Sequence, residues 1–450
     1  MSRVSNWAAL LPRLFLNPRR NRRVRVLATR WRRRFIFVLG GVGVGAAAVV
    51  FTKLADLAQF EFSRLITHWP YACMAVTPMG FAASIYLAIR YFPNSQGSGI
   101  PQAIAARQIR DLAGRSQLVS IRIAVGKVLL TVMGLLCGAS VGREGPTVQV
   151  GASLLFAVGR MSPRRQPGLI LAGASAGVAA AFNTPLAGIV FGIEEMGRSF
   201  ETRTNGLAIA AVIAAGVTSL AFLGDYLYFG TTTVSLHSFA GWVAVPITGI
   251  IGGLLGGLFS RCLILFAGGL PGRLGRWLKE HPVIFALLCG FGVALCGLVS
   301  GGSVFGTGYA QARGLLEGTQ HVPLLFGLWK FVATALSAIS GVPGGIFSPS
   351  LAAGAGIGVG IAQFFPGVPL DAIILLGMVS YFTGVVQAPI TAFVIVTEMT
   401  GDHAMVVPLM AAAFIAQAVS RMVCKEGVYH ALAANYRRDA EQWPRRTSNA

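Results

Sequence analysis

Acidic residues are scarce in this chain. Against 37 Lys and Arg there are 16 Asp and Glu in 450 residues, and charged residues of both signs make up only 12%. Soluble domains carry about 25% charged residues, so this shortage excludes an ordinary water-facing globule. With 54% hydrophobic residues, the composition is that of a membrane protein. Cysteine is also sparse: Cys73, Cys137, Cys262, Cys289, Cys296 and Cys424 contain no Cys-x-x-Cys pair. They read as packing residues in apolar runs, with no disulfide framework implied. The six histidines are scattered without metal-ligand spacing, so no metal site or other cofactor is expected.

What the chain has instead is apolar sequence, in runs at 35–51, 73–88, 121–136, 169–181, 208–223, 242–266, 283–299, 324–338, 373–386 and 406–419. Several are shorter than the roughly 20 residues of a straight crossing, which predicts tilted, re-entrant or half-spanning helices. The 57 glycines suit close helix packing. The expected fold class is an all-α polytopic membrane protein.

About half of the +21 net charge sits in the first 34 residues, which hold 11 arginines and no acid. Such a run suits nucleic acid, but Trp7, Phe15 and Trp31 are too few for a base-stacking platform. A polybasic arm beside a first membrane helix explains the charge better, by staying cytoplasmic and touching anionic lipid. No nucleic-acid partner is expected. Arg437, Arg438, Arg445 and Arg446 place the C-terminus inside as well, which implies an even number of crossings. A basic segment this long is not the start of a cleaved signal peptide.

Three Gly-rich turns run into a proline that opens an apolar helix: Gly97-Ser98-Gly99-Ile100-Pro101, Gly142-Arg143-Glu144-Gly145-Pro146 and Gly344-Gly345-Ile346-Phe347-Ser348-Pro349. Proline in a first turn forgoes an N–H that has no helical partner, and glycine permits close approach. Free amides and the positive dipole end then suit an anion. Glu144 stands inside one such turn as the only acid between Asp111 and Glu194. As a carboxylate it can occupy the anion site itself, and once protonated it can leave, which would couple anions to protons.

The chain also repeats itself. A shift of 203 aligns Gly138, Gly142, Pro146 and Gly151 with Gly341, Gly345, Pro349 and Gly354; a shift of 204 aligns Leu171, Gly173, Pro185 and Glu194 with Leu375, Gly377, Pro389 and Glu398. Matched prolines and acids argue against chance, and internal symmetry of this kind puts a ligand site between two repeats. The expected organisation is a basic arm at 1–34, repeats at 35–238 and 239–435, and a basic tail at 436–450. Two G-x-S-x-G matches, around Ser140 and Ser175, lack the strand context and histidine partner of a nucleophile elbow. The Gly41-Val42-Gly43-Val44-Gly45-Ala46 run likewise lacks a βαβ unit.

Acids at membrane depth are functional hypotheses. Besides Glu144 these are Glu194, Glu195 and Glu398. Glu194 and Glu195 end the helix opened by Pro185 and point about 100° apart, so only one faces a given path. Spacing leaves open whether such an acid accepts protons or is solvated and paired with Arg198. For Glu398 the structural reading is preferred.

Together with Phe182-Asn183-Thr184-Pro185-Leu186-Ala187-Gly188, the Gly/Pro segments resemble, in the same order, the signature segments of the CLC family of chloride channels and chloride/proton exchangers. The resemblance spans about 35–435 and is to a compact prokaryotic form without regulatory domains. It implies an inverted-repeat fold and a two-fold homodimer in the bacterial inner membrane. It further implies chloride held by Ser98, the amides of Ile346 and Phe347, and a tyrosine, for which Tyr429 is preferred to Tyr436. Glu144 would be the external gate, the amides of Arg143, Glu144 and Gly145 would frame an outer site, and Glu195 would be the internal proton acceptor. The implied activity is chloride/proton exchange, not enzymatic chemistry; the alternatives are a passive chloride channel, a fluoride/proton antiporter whose motifs would depart from those here, and a nitrate exchanger with proline at Ser98.

Overall fold

The computed structural model describes residues 18–159, 166–196, 205–224, 227–320, 322–323 and 325–447. Trp7, Phe15 and Arg198 lie outside the described residues. Among those described, regular structure is helical apart from one isolated backbone bridge. Seven helices are long and apolar enough to cross a membrane: Arg34–His68, Pro70–Tyr91, Leu112–Leu136, Gly206–Leu223, Phe239–Gly268, Pro282–Val299 and Val406–Val423. Shorter apolar helices fill the interior, including Gln166–Phe182, Phe347–Ala362 and Leu370–Val386. The outer helices show the bundle's apolar exterior: Ile284, Leu288, Phe291, Leu295 and Val299 recur at helical spacing and are exposed. Lipid tails, not water, suit that face.

The first helix departs from the apolar run at 35–51, continuing from Pro18 to His68. Arginine, alanine and leucine on its flanks are good helix formers, and nothing there breaks the hydrogen-bond ladder. Its glycines serve packing: a Cβ on Gly41 would stand 2.3 Å from the carbonyl oxygen of Ala211.

The repeat is visible helix by helix. Ile121–Leu136, Glu144–Val158, Gln166–Phe182 and Pro185–Glu194 correspond in order to Phe326–Ile339, Phe347–Ala362, Leu370–Val386 and Pro389–Thr400. At the join, Gly142 N–H donates to Gly345 O and Gly345 N–H to Gly142 O, both at 2.7 Å, as an antiparallel pair. These residues are 203 apart, the repeat offset. A residue that pairs antiparallel with its own equivalent lies on a local two-fold axis, so the repeats are inverted. Equivalent glycine contacts draw the helices together in each half. A Cβ on Gly173 would meet Gly151 O at 2.2 Å, and one on Gly377 would meet Gly354 O at 2.5 Å.

The two acids at offset 204 exchange caps. Glu194 accepts from Ile390 N–H at 3.1 Å and Thr391 N–H at 2.6 Å, while Glu398 accepts from Leu186 N–H at 3.1 Å and Ala187 N–H at 2.6 Å. Each carboxylate therefore sits on the positive end of the other repeat's helix. This is a structural partnership for Glu398, as the sequence suggested, and it assigns Glu194 the same task. Glu398→Ala strips two helix amides of a charged acceptor, a loss of about 2 kcal/mol for a bond to a charged group. Thermal unfolding in detergent should show a midpoint several degrees lower; an unchanged midpoint would mean that the cap carries no load.

Candidate functional site

Both Gly/Pro turns at the two-fold axis open helices where the sequence places them. Arg143 precedes the Glu144–Val158 helix and Ile346 the Phe347–Ala362 helix, with Pro146 and Pro349 in the first turns. First-turn amides have no intrahelical acceptor, so the turns present donors from both repeats to the same region. The third turn opens the Ile100–Gln108 helix from a left-handed Gly99, φ 101°, a conformation natural only to glycine. It brings Ser98 against the second turn: a Cβ on Gly145 would stand 2.4 Å from Ser98 Oγ.

Glu144 is completely buried. Tyr309 Oη donates to its Oε1 at 2.9 Å and Ser348 Oγ to its Oε2 at 2.9 Å. Arg143 does not pair with it through its side chain. That guanidinium instead donates to Asp56, to Thr52 O and to Tyr228 Oη, leaving the Arg143 backbone as its contribution to the turn. Near Glu144, Ser98 Oγ and Tyr429 Oη are buried with no hydrogen-bond partner beyond each other. They lie near each other, and the Tyr429 ring packs on Phe347 with centroids 5.8 Å apart. Buried donors normally find acceptors. Two buried hydroxyls that have only each other, beside two helix N-termini, form a site chemically fitted to an anion.

Tyr436 differs from Tyr429 in being satisfied. Gln102 Nε2 donates to its hydroxyl at 3.1 Å, and burial, reinforced by Asp439, pushes its phenol up to about 12. One cavity, about 330 Å³, reaches Ser98 between Pro101, Leu432 and Tyr436. Another, about 400 Å³, reaches Arg143 and Tyr309 from Thr52, Asp56 and Tyr228. Glu144 and Tyr429 line neither; they are buried between the two ends.

Glu195 lies one residue beyond the Pro185–Glu194 helix, 4% exposed, with its Oε1 3.6 Å from His430 Nε2. Its neighbour Glu194 is committed to the Pro389 helix, so the two adjacent acids do point to different surroundings. Ser140, of the first G-x-S-x-G match, shares a hydrogen bond with Thr334 Oγ1 at 3.0 Å.

Sequence reasoning missed four neighbours. Lys127 is fully buried and donates to Gly97 O and Gln96 O, behind Ser98. Lys330, at offset 203, is also fully buried and donates to Val304 O and Gly306 O. Lys330 is the lone charge in its apolar run and Lys127 shares its own only with Arg122 near the run's start, and the repeat offset would have linked them. Tyr309 and Ser348 were reachable too: Gly306-Thr307-Gly308-Tyr309 echoes Gly97-Ser98-Gly99-Ile100, and Ser348 lies within a motif already marked.

The family model described as voltage gated chloride channel matches residues 79–421. This chain belongs to the CLC family. Among curated CLC relatives, the H(+)/Cl(-) exchange transporter ClcA of Yersinia pseudotuberculosis is 29% identical, with 94% of this chain and 92% of the relative covered. The protein of the same name from Klebsiella pneumoniae is 31% identical over 84% of this chain and 83% of its own. Two solved CLC structures share the fold. A slow cyanobacterial Cl-/H+ antiporter superposes with TM-score 0.77 at 24% identity, covering 90% of this chain and 97% of that one. A CLC-type fluoride/proton antiporter gives 0.75 at 23% identity over 89% and 97%. The CLC inverted-repeat, all-helical architecture expected from the sequence is thus the observed one.

Proposed function

We propose that this CLC protein is a secondary active transporter exchanging chloride for protons across the bacterial inner membrane. The observation that carries the reading is the buried Glu144 carboxylate at the meeting of the two repeats, within a region otherwise rich in donors. Chloride, as substrate, exchanges part of its water for the hydroxyls of Ser98 and Tyr429 and the amides of Ile346 and Phe347. The amides of Arg143, Glu144 and Gly145 serve the outer position. Glu144 competes there as a tethered anion, takes a proton from outside and swings clear. Glu195, on a separate route, passes protons inside. The names of the curated relatives support this activity.

The same reading places the basic arm and the 436–450 tail in the cytoplasm, takes 35–238 and 239–435 as the two membrane repeats, and pairs two copies as a homodimer with one pathway each. A passive chloride channel remains the alternative, and the buried Glu195 beside His430 favours the coupled form. Purified protein in liposomes, with chloride efflux and proton uptake recorded together, tests it. Stoichiometric counter-movement is expected; chloride flux without protons would select the channel.

Chloride and fluoride antiporters fit the fold nearly equally, so the choice of anion rests on side chains. Ser98 offers one hydroxyl to a small spherical ion. Ser98→Pro removes that donor, worth about 1 kcal/mol or roughly fivefold in relative affinity. The nitrate-to-chloride flux ratio should rise by that order; a constant ratio would remove Ser98 from the site.

A further inference from the structure

We propose that Tyr309 is a positioning residue for the gate, its phenol latching Glu144 so that each cycle must break this hydrogen bond before the carboxylate can leave. The inference rests on reading Glu144 as the gate. Its geometric basis is independent of that reading. Of the two donors on the carboxylate, Ser348 lies in the turn that belongs to the anion path, whereas Tyr309 reaches in from a different helix, at the mouth of the cavity containing Arg143.

The ring that carries this hydroxyl has little freedom. It stacks on Tyr228 with centroids 4.8 Å apart and planes 27° from parallel, meets Phe229 at 5.6 Å, and lies under the Arg143 guanidinium at 5.8 Å. Tyr228 is itself pinned, accepting from Arg143 at 2.8 Å and donating to Ala181 O at 3.0 Å. The backbone is equally fixed. Tyr309 opens its helix directly after left-handed Gly308, φ 83°. The preceding loop is tied by Lys330 to Val304 O and Gly306 O, both at 2.8 Å, and by Gln59 to Thr307 N–H. Lys127, Gly97, Ser98 and Gly99 form the same device in the first repeat. There it delivers a hydroxyl that meets only Tyr429; here it delivers a phenol whose partner is the gate.

A phenol donates more strongly to an ionised carboxylate than to a neutral acid, so protonation of Glu144 loosens the latch as it opens the gate. The charged and titratable groups around Glu144 are Arg143, Asp56 through Arg143, Tyr228, Tyr309 and Tyr429. None of the others donates to Oε1.

Tyr309→Phe keeps the ring stack and removes only the donor. In liposomes, with chloride and protons followed against outer pH, exchange should become roughly tenfold faster at neutral pH. The ionised carboxylate loses support, so it protonates more readily. The midpoint of activity should therefore move to higher outer pH by about one pH unit, with the chloride-to-proton ratio kept. In a Glu144→Gln background, where only a neutral acceptor is left for the phenol, the same change should have a much smaller effect on flux. If Tyr309→Phe does not fold, Tyr309→Leu must give the same displacement. An unmoved or lowered midpoint, slower exchange by folded protein, or an equal effect in the Glu144→Gln background overturns the latch. If Glu144→Gln alone keeps proton coupling, the gate assignment fails and the latch with it; if it uncouples while Tyr309→Phe changes nothing, only the latch fails.

Discussion

Glu144→Gln is expected to abolish proton movement while chloride still crosses, with flux nearly independent of outer pH. The wild-type carboxylate uses both oxygens as acceptors, for Tyr309 and Ser348. A glutamine keeps one acceptor and replaces the other with an amide NH2 that only donates, so it fits the closed position poorly as well as carrying no charge. It competes weakly for an anion site and cannot carry a proton. Coupled proton flux should fall by roughly two orders of magnitude, the lower end of what a positioned proton-transfer group contributes. The measurement is simultaneous chloride and proton flux in liposomes, and undiminished proton uptake would sink the assignment.

Glu195→Gln should be as damaging to protons and nearly silent for chloride. Glu195 is buried and stands 3.6 Å from His430, whose backbone neighbour Tyr429 presents its hydroxyl near Ser98. Losing the acid removes the proton stop without removing any hydroxyl or amide donor. Proton flux should drop to the liposome leak while calorimetry still registers chloride binding. Glu194→Gln is the control, since that side chain is held by Ile390, Thr391 and the Thr391 hydroxyl; it should lower thermal stability with proton flux largely kept. Loss of chloride binding in Glu195→Gln, or proton loss only in Glu194→Gln, would mean the wrong carboxylate.

Much of this architecture is written locally. Proline and glycine punctuate helix starts through their own backbone chemistry, so Pro101, Pro146, Pro185 and Pro349 announce the four turns without tertiary information. Symmetry is also legible, because equal tasks in two repeats select equal residues, as with Gly142 and Gly345. Partnership is a different matter. Glu144 meets Tyr309 165 residues away, and the reciprocal caps of Glu194 and Glu398 span about two hundred; no periodicity records which side chain a distant loop will deliver. Lys127 and Lys330 were visible as charges within apolar runs, yet their acceptors are backbone carbonyls, which leave no residue-type signature at all. The first helix ran past its apolar stretch because helix propensity, not hydropathy, decides where a helix stops.

The glycine pair at the axis also fixes a ledger of donors. Gly142 N–H and Gly345 N–H are consumed by each other, so the first amides left for an ion in either turn belong to the residues that follow, Arg143 and Ile346. Those two residues are images under the same rotation. On the proposed reading, an ion leaving one cradle would therefore find a second built to the same plan, facing the opposite way.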